Sequence, residues 1–216
     1  MNILKLKSNI YTTFIMLALF NLVFVSKSVF ADVSTNLGLV SQYHFRGIQQ
    51  TSGASASVGL DYESGNISVG TWAADVEDGL EVDFYGAYSW DIGNDASIAI
   101  GATSYQYTGD FDSAYNEINL SARFSNFGVA YSIGKWDGEV GNENATKNNY
   151  TILEISYEIN SFTGTIGVYG DEAKGEYFDL NYGIQTDYFE IGFGLLVSNL
   201  NDDESLYFSF SKAMDL

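Results

Sequence analysis

The 216-residue chain sets 28 acidic side chains against nine basic ones, a formal charge of −19, and so excludes nucleic acid as a partner, because a phosphate backbone demands Lys and Arg. Cysteine and proline are both absent, which removes disulfides and thiolate metal sites and leaves every sheet position with an N–H to pair. Aromatic residues make up 16% of the chain, too many for an acidic segment that avoids burial.

Lys5 and Lys7 precede an uncharged apolar run from Ile10 to Val25, and Val29 and Ala31 stand at the spacing of a small-residue cleavage site. This pattern predicts a secretory signal peptide over residues 1–31, the run being shorter than the roughly 20 residues of a spanning helix. Cleavage after Ala31 leaves one domain, 32–216. Loss of Lys5, Lys7 and Lys27 then leaves six basic side chains against 28 acidic ones, a charge near −22.

From Val33 onward apolar and polar residues alternate with the period of two that extended strands impose. The first predicted strand, Val33 to Arg46, puts Leu37, Leu39, Tyr43 and Phe45 on an apolar face and Asn36, His44 and Arg46 on a wet one. The second, Ala54–Tyr62, turns Val58 and Leu60 outward and Asp61 inward. A third follows over about Ile67–Ala74, and a fourth, Leu80–Trp90, sets Val82, Phe84 and Tyr88 against Glu81, Asp83 and Tyr85. The fifth, near Ala96–Tyr107, has small residues on both faces. The sixth, Tyr115–Phe124, turns Glu117, Asn119 and Arg123 inward, and the seventh starts at Phe127. Strands eight to twelve place Glu154 and Glu158, then Thr163 and Thr165, then Asp179 and Asn181, then Glu190 on the wet face, and the last runs from Leu206 to Leu216.

Short polar turns at 63–66, 91–95, 125–126, 160–161 and 187–188 alternate with longer gaps at 49–53, 75–79, 108–114, 137–148, 171–176 and 199–205. Five short and six long connections predict an all-β, antiparallel up-and-down transmembrane β-barrel of about 12 strands with both termini in the periplasm. A soluble β-sandwich would share the alternation of side chains but not that of loop lengths. Aromatic residues add two expected interfacial bands: Tyr62, Trp90, Phe124, Phe127, Phe162 and Phe189 by the short turns, and Tyr43, Phe45, Trp72, Trp136, Tyr150 and Phe178 by the long loops.

Three stretches carry a family resemblance: Tyr43-His44-Phe45-Arg46-Gly47-Ile48-Gln49-Gln50-Thr51, Gly70-Thr71-Trp72-Ala73-Ala74-Asp75-Val76, and Glu81 through Tyr88. They resemble the TorF porin family, specifically over residues 33–90 and in general pattern beyond. The resemblance implies an outer-membrane protein of Gram-negative bacteria and supplies no substrate. Many such barrels end in Phe, whereas this chain ends in Leu216, which implies weaker recognition by the barrel-assembly machinery.

A 12-strand barrel is wider than one that side chains fill and narrower than a 16-strand porin. The expected lumen lining is His44, Arg46, Asp61, Glu81, Asp83, Tyr85, Glu117, Arg123, Glu154, Glu158, Asp179 and Glu190. Acids outnumber bases there, which favours a cation-selective pore for passive diffusion of small cationic or neutral solutes. The alternative is a non-conducting structural or adhesive barrel acting through acidic outer loops, with Asp75, Glu77 and Asp78, Asp137, Glu139 and Glu143, Asp171, Glu172 and Glu176, and Asp202, Asp203 and Glu204. No cofactor or resident metal is expected, since no loop has EF-hand spacing. Expected partners are outer-membrane lipid and lipopolysaccharide, the assembly machinery and small solutes. Lys135, Lys147 and Lys174 are candidates for touching lipid phosphates.

Arg46, at the mouth beside Gly47, is expected to pair with Glu81 or Asp83. An outer-membrane phospholipase would need a Ser with a His base. His44 is the sole histidine, it points to the lumen, and Ser41 falls on the opposite face, so no enzyme is expected.

Overall fold

The computed structural model describes residues 32–142, 146–171, 173–200 and 204–216. The signal-peptide reading, and the loop acids Glu143, Glu172, Asp202 and Asp203, lie outside the described residues.

Fourteen strands follow in chain order: β1 (Asp32–Val40), β2 (His44–Phe45), β3 (Ile48–Gln49), β4 (Ser55–Ser64), β5 (Ile67–Asp75), β6 (Leu80–Ile92), β7 (Ala96–Tyr107), β8 (Tyr115–Phe124), β9 (Phe127–Trp136), β10 (Asn148–Ile159), β11 (Phe162–Asp171), β12 (Gly175–Gln185), β13 (Glu190–Ser198) and β14 (Ser205–Asp215). All but β2 and β3 form one closed antiparallel barrel, 12 strands in sequence order, in which β1 pairs with both β4 and β14. Closure gives every strand two partners and removes the sheet edge that a bilayer would not tolerate.

The barrel is inside out relative to a soluble protein. Outward rows such as Val58, Leu60, Phe84 and Ile118 are about half exposed, whereas Glu81, Asp83 and Ser132 have no exposure and Asn119 has 1%. Leaving one such large apolar side chain in water forgoes about 1.5–3 kcal/mol, and the pattern repeats around the whole circumference. Only a hydrocarbon surround reconciles that exterior with a polar interior. The fold is therefore that of a transmembrane β-barrel.

Turn geometry follows the sequence closely at one end. The connections 65–66, 93–95, 125–126, 160–161 and 186–189 are tight, and Gly65, Gly93, Ser125 and Asn160 each adopt positive φ within them. The opposite end carries the longer connections, although 172–174 and 76–79 are no longer than the longest tight turn. Asp32 and Leu216, the two ends of the barrel segment, lie at the short-turn end, where the Leu216 N–H donates to the Val33 carbonyl. The fifth barrel strand expected from sequence is one continuous element, β7.

Two expectations fail at the long-loop end. The first barrel strand stops at Val40, six residues before Arg46, and Tyr43 and Phe45 turn into the barrel instead of out to lipid. The expected second aromatic band also breaks down. Tyr43 and Tyr150 are buried, Tyr43 packs its ring edge on Trp72, and Trp136 donates its indole N–H to Asp112. Phe178 alone of that set is clearly exposed. These rings fill the mouth of the lumen, whereas Tyr62, Trp90, Phe124, Phe127 and Phe162 at the other end do face out, each at least 41% exposed.

The lumen and its inward hairpin as the candidate functional site

The connection from β1 to β4, residues 41–54, folds into the barrel. β2 and β3 pair as a minimal hairpin, His44 with Gln49 and Phe45 with Ile48, around Arg46 and Gly47. Both turn residues have positive φ, 47° and 83°, the geometry of a type I′ turn whose twist matches that of paired strands. Glycine suits the second position and arginine does not suit the first, so contacts beyond the turn must hold Arg46 there.

Those contacts sit on the far wall. The Arg46 guanidinium, 3% exposed, donates from Nη1 to Glu117 Oε1 at 2.6 Å and from Nη2 to Ser132 Oγ at 3.2 Å. Its Nε lies 3.3 Å from Glu154 Oε2 as an ion pair without hydrogen-bond alignment. Glu117 also accepts from Tyr105 at 3.1 Å, Tyr150 at 2.7 Å and Asn119 at 2.8 Å, and Glu154 accepts from the Tyr177 hydroxyl. A buried ion pair is tolerable only when its remaining lone pairs are satisfied this way. Gly47 lies against Tyr177, where a Cβ would come within 2.6 Å of the ring-bearing carbon, so no larger residue can occupy the tip.

The root of the hairpin is tied on the near wall. Tyr43 accepts from the Gln50 and Thr51 amides and donates its hydroxyl to Glu81 at 3.2 Å. The Ser52 N–H donates to the Glu77 carboxylate in the loop between β5 and β6, and that bond holds the Glu77 carboxyl below its ordinary range. The hairpin thus spans the lumen from β5 and β6 to β8–β10. Inward residues at its level, among them Tyr105, Ile152, Tyr177, Leu196 and Tyr207, are all at most 6% exposed. These side chains and the hairpin fill the long-loop half of the lumen.

The other expected lining residues divide by level. Glu81 and Asp83 are fully buried near the hairpin root, and neither Asp83 oxygen accepts a hydrogen bond among the described residues. Deeper in the barrel, Asp61 accepts from Tyr85 and from Asn36, Asp179 accepts from Tyr207 and Asn181, and Glu190 is 7% exposed. Arg123 pairs with Glu158 at 2.7 Å, both partly exposed. Arg46 therefore pairs with Glu117 and Glu154, not with Glu81 or Asp83 as its position on an extended first strand suggested. The change of partner follows from the strand's early end, which lets the turn reach across. Sequence reasoning missed the tyrosines Tyr43, Tyr105, Tyr150 and Tyr177. Arg46-Gly47 flanked by β-formers was the available signal of a hairpin.

His44 packs its ring 5.4 Å from that of Tyr207, and Ser41 accepts the Phe208 N–H on its hydroxyl. Among the described residues no serine hydroxyl bonds the imidazole, and no group of three or more His, Asp or Glu side chains is arranged to hold a metal ion.

A family profile described as a bacterial protein of unknown function, Gcw_chp, matches residues 26–212. The chain belongs to the Gcw_chp family. That match does not confirm the TorF name suggested by residues 33–90. No curated relative matches in sequence. Among solved structures the Gcw_chp barrel is similar to KdgM porin, with TM-score 0.59 and 8% identity over 85% of this chain and 99% of that one. It is equally similar to a membrane protein from work on in-meso crystallization, with TM-score 0.60 and 8% identity over 86% and 84% of the two chains. An outer membrane phospholipase A from Escherichia coli has a TM-score of 0.47 and 8% identity over 84% and 89%. At such identities the likeness is one of fold.

Proposed function

We propose that this protein is an outer-membrane channel for small cationic or neutral solutes, exported by its N-terminal signal and held closed by the hairpin of residues 44–49. Its long loops face the exterior and both chain ends face the periplasm. The observation that carries the reading is the lumen's charge. Glu81, Asp83, Glu117 and Glu154 ring the hairpin level against Arg46 alone, so a conduit freed of the hairpin would present a ring of carboxylates to entering ions. Asp61, Asp179 and Glu190 continue the acidic lining below it.

The same packing favours a second reading, a barrel that never conducts and acts through its acidic loops, because every inward residue named at hairpin level is almost fully covered. Planar-bilayer recording separates the two. Refolded protein, alone or with residues 43–50 replaced by a short Gly-Ser linker, is expected to give discrete cation-selective steps. Glu81→Gln with Asp83→Asn is expected to move the reversal potential in a salt gradient toward zero. A correctly folded barrel that stays silent in both forms would refute the channel.

A further inference from the structure

We infer that the lipid-facing side of β7–β10 binds a phosphorylated glycolipid of the outer leaflet. The inference rests on the long loops facing the exterior, not on conduction.

Eight residues from its short-turn end, each of these strands interrupts its apolar outward row. Ser104, Asn116, Lys135 and Thr151 stand there, Ser104 opposite Asn116 and Asn116 opposite Lys135 in the ladder, with Asn149 opposite Lys135 on its other side. At the same distance along β4, β6 and β11 the outward residues are Ala56, Phe84 and Gly170. The run of four successive strands with neutral or basic polar residues at this distance is β7–β10. Eight residues of strand at a tilt of about 40° rise about 20 Å, and the apolar band of such barrels is about 25 Å tall. The row lies just under the outer rim, where a lysine stem can follow apolar surface and deliver its ammonium to the headgroups.

The row is organised as a donor surface. Gln106 donates to the Ser104 hydroxyl at 2.9 Å, and Ser104 donates to Asn116 Oδ1 at 2.9 Å, an arrangement that leaves the Asn116 amide donors facing outward beside Lys135. The Lys135 ammonium has no ion pair or hydrogen bond among the described residues, whereas Lys147, just before β10, is bound to Asp137 at 2.8 Å. One unpaired ammonium beside the Asn116 amide complements a phosphate. Asp75, eight residues from the short-turn end of β5, and Glu176, nine from that of β12, repel an anion, which favours β7–β10.

Native mass spectrometry of the barrel in detergent tests this with three probes: purified lipopolysaccharide, the same material after dephosphorylation, and phosphatidylglycerol. The phosphorylated glycolipid is expected to bind at least about fivefold more tightly than either other probe. Lys135→Gln is expected to cost about fivefold, the order of one lysine near an anionic surface. Lys135→Arg should restore binding, and Lys147→Gln should leave it unchanged. Equal binding of the dephosphorylated form, equal binding of phosphatidylglycerol, or full affinity in Lys135→Gln would each overturn the proposal. Lys135 is exposed and its backbone pairing is retained, so heat-modifiable migration of the variant in gels verifies its fold. The readout is independent of any current through the barrel.

Discussion

Replacing Arg46 by Ala removes the one base that faces Glu117 and Glu154, and its cost can be estimated from what each partner keeps. Stripping one member from a buried ion pair costs about 3–5 kcal/mol, chiefly because the other charge stays buried and uncompensated. Here Glu117 retains Tyr105, Tyr150 and Asn119, and Glu154 retains Tyr177, so the lower end, about 3 kcal/mol, is the appropriate figure. The barrel has a cheaper response than unfolding. Withdrawing the hairpin lets water reach both carboxylates while the 12-strand ladder stays intact. At about 1.4 kcal/mol per factor of ten, the loss converts to a rise of roughly 150-fold in the ratio of open to closed barrels. Single-channel recording at fixed voltage measures that ratio directly, with heat-modifiable gel migration verifying the fold. Lys at the same position should be intermediate, since a point charge cannot bridge Glu117, Ser132 and Glu154 together. An Arg46→Ala barrel that folds and opens no more often than the parent would refute the claim that this side chain seats the hairpin.

Gly47→Ala is expected to unseat the hairpin without altering any charge, because φ of 83° and a Cβ 2.6 Å from Tyr177 together penalise the closed state by about 1–3 kcal/mol. Recordings should show more frequent opening at unchanged selectivity; altered selectivity would contradict the steric argument. Arg123→Ala is expected to change neither stability nor current appreciably, since its pair with Glu158 is partly exposed and screened and such pairs contribute about 0–1 kcal/mol. Denaturant-induced unfolding and conductance both check it. The Glu77 carboxyl is held below 4.5 by the Ser52 N–H, so its contribution is complete above that value and is lost as pH falls through the depressed folded value. Hydrogen exchange should find the Ser52 amide protected at pH 6 and released on acidification, and Glu77→Gln should weaken that protection at pH 6. Protection that ignores both changes would rule the clip out.

The strands were legible because lipid enforces a binary choice at every position. β8 and β7 match their predicted bounds to the residue, since Ile118, Leu120, Ala122 and Phe124 cannot exchange faces with Glu117, Asn119 and Arg123 without placing charge in hydrocarbon. The identity of the inward carboxylates followed from the same parity. The hairpin was not legible, because a strand that continues and a strand that stops and turns inward present the same alternation. Tyr43, His44, Phe45 and Arg46 alternate as convincingly as Leu37 to Val40 do, and only burial reveals that both kinds of side chain are inside. The aromatic rings at the mouth were misassigned for a related reason. Nearness to a long loop says which end of a strand a ring occupies, whereas parity says which face, and Trp72, Trp136 and Tyr150 have lumen parity.

In the proposed channel, closure and selectivity would draw on the same carboxylates. Glu117 and Glu154 bind the guanidinium while the hairpin is seated, and they are the groups that water and mobile cations would solvate once it leaves. A permeating cation would then compete with Arg46 for its binding site, and the hairpin would act as a tethered cation at high local concentration. This relation accounts for an otherwise costly arrangement, a lone arginine in left-handed backbone facing an excess of buried acids. An apolar tip could fill the lumen as well but would leave Glu117 and Glu154 buried without a counter-charge. An arginine tip neutralises them only while it is seated, so release of the hairpin would restore the acidic lining.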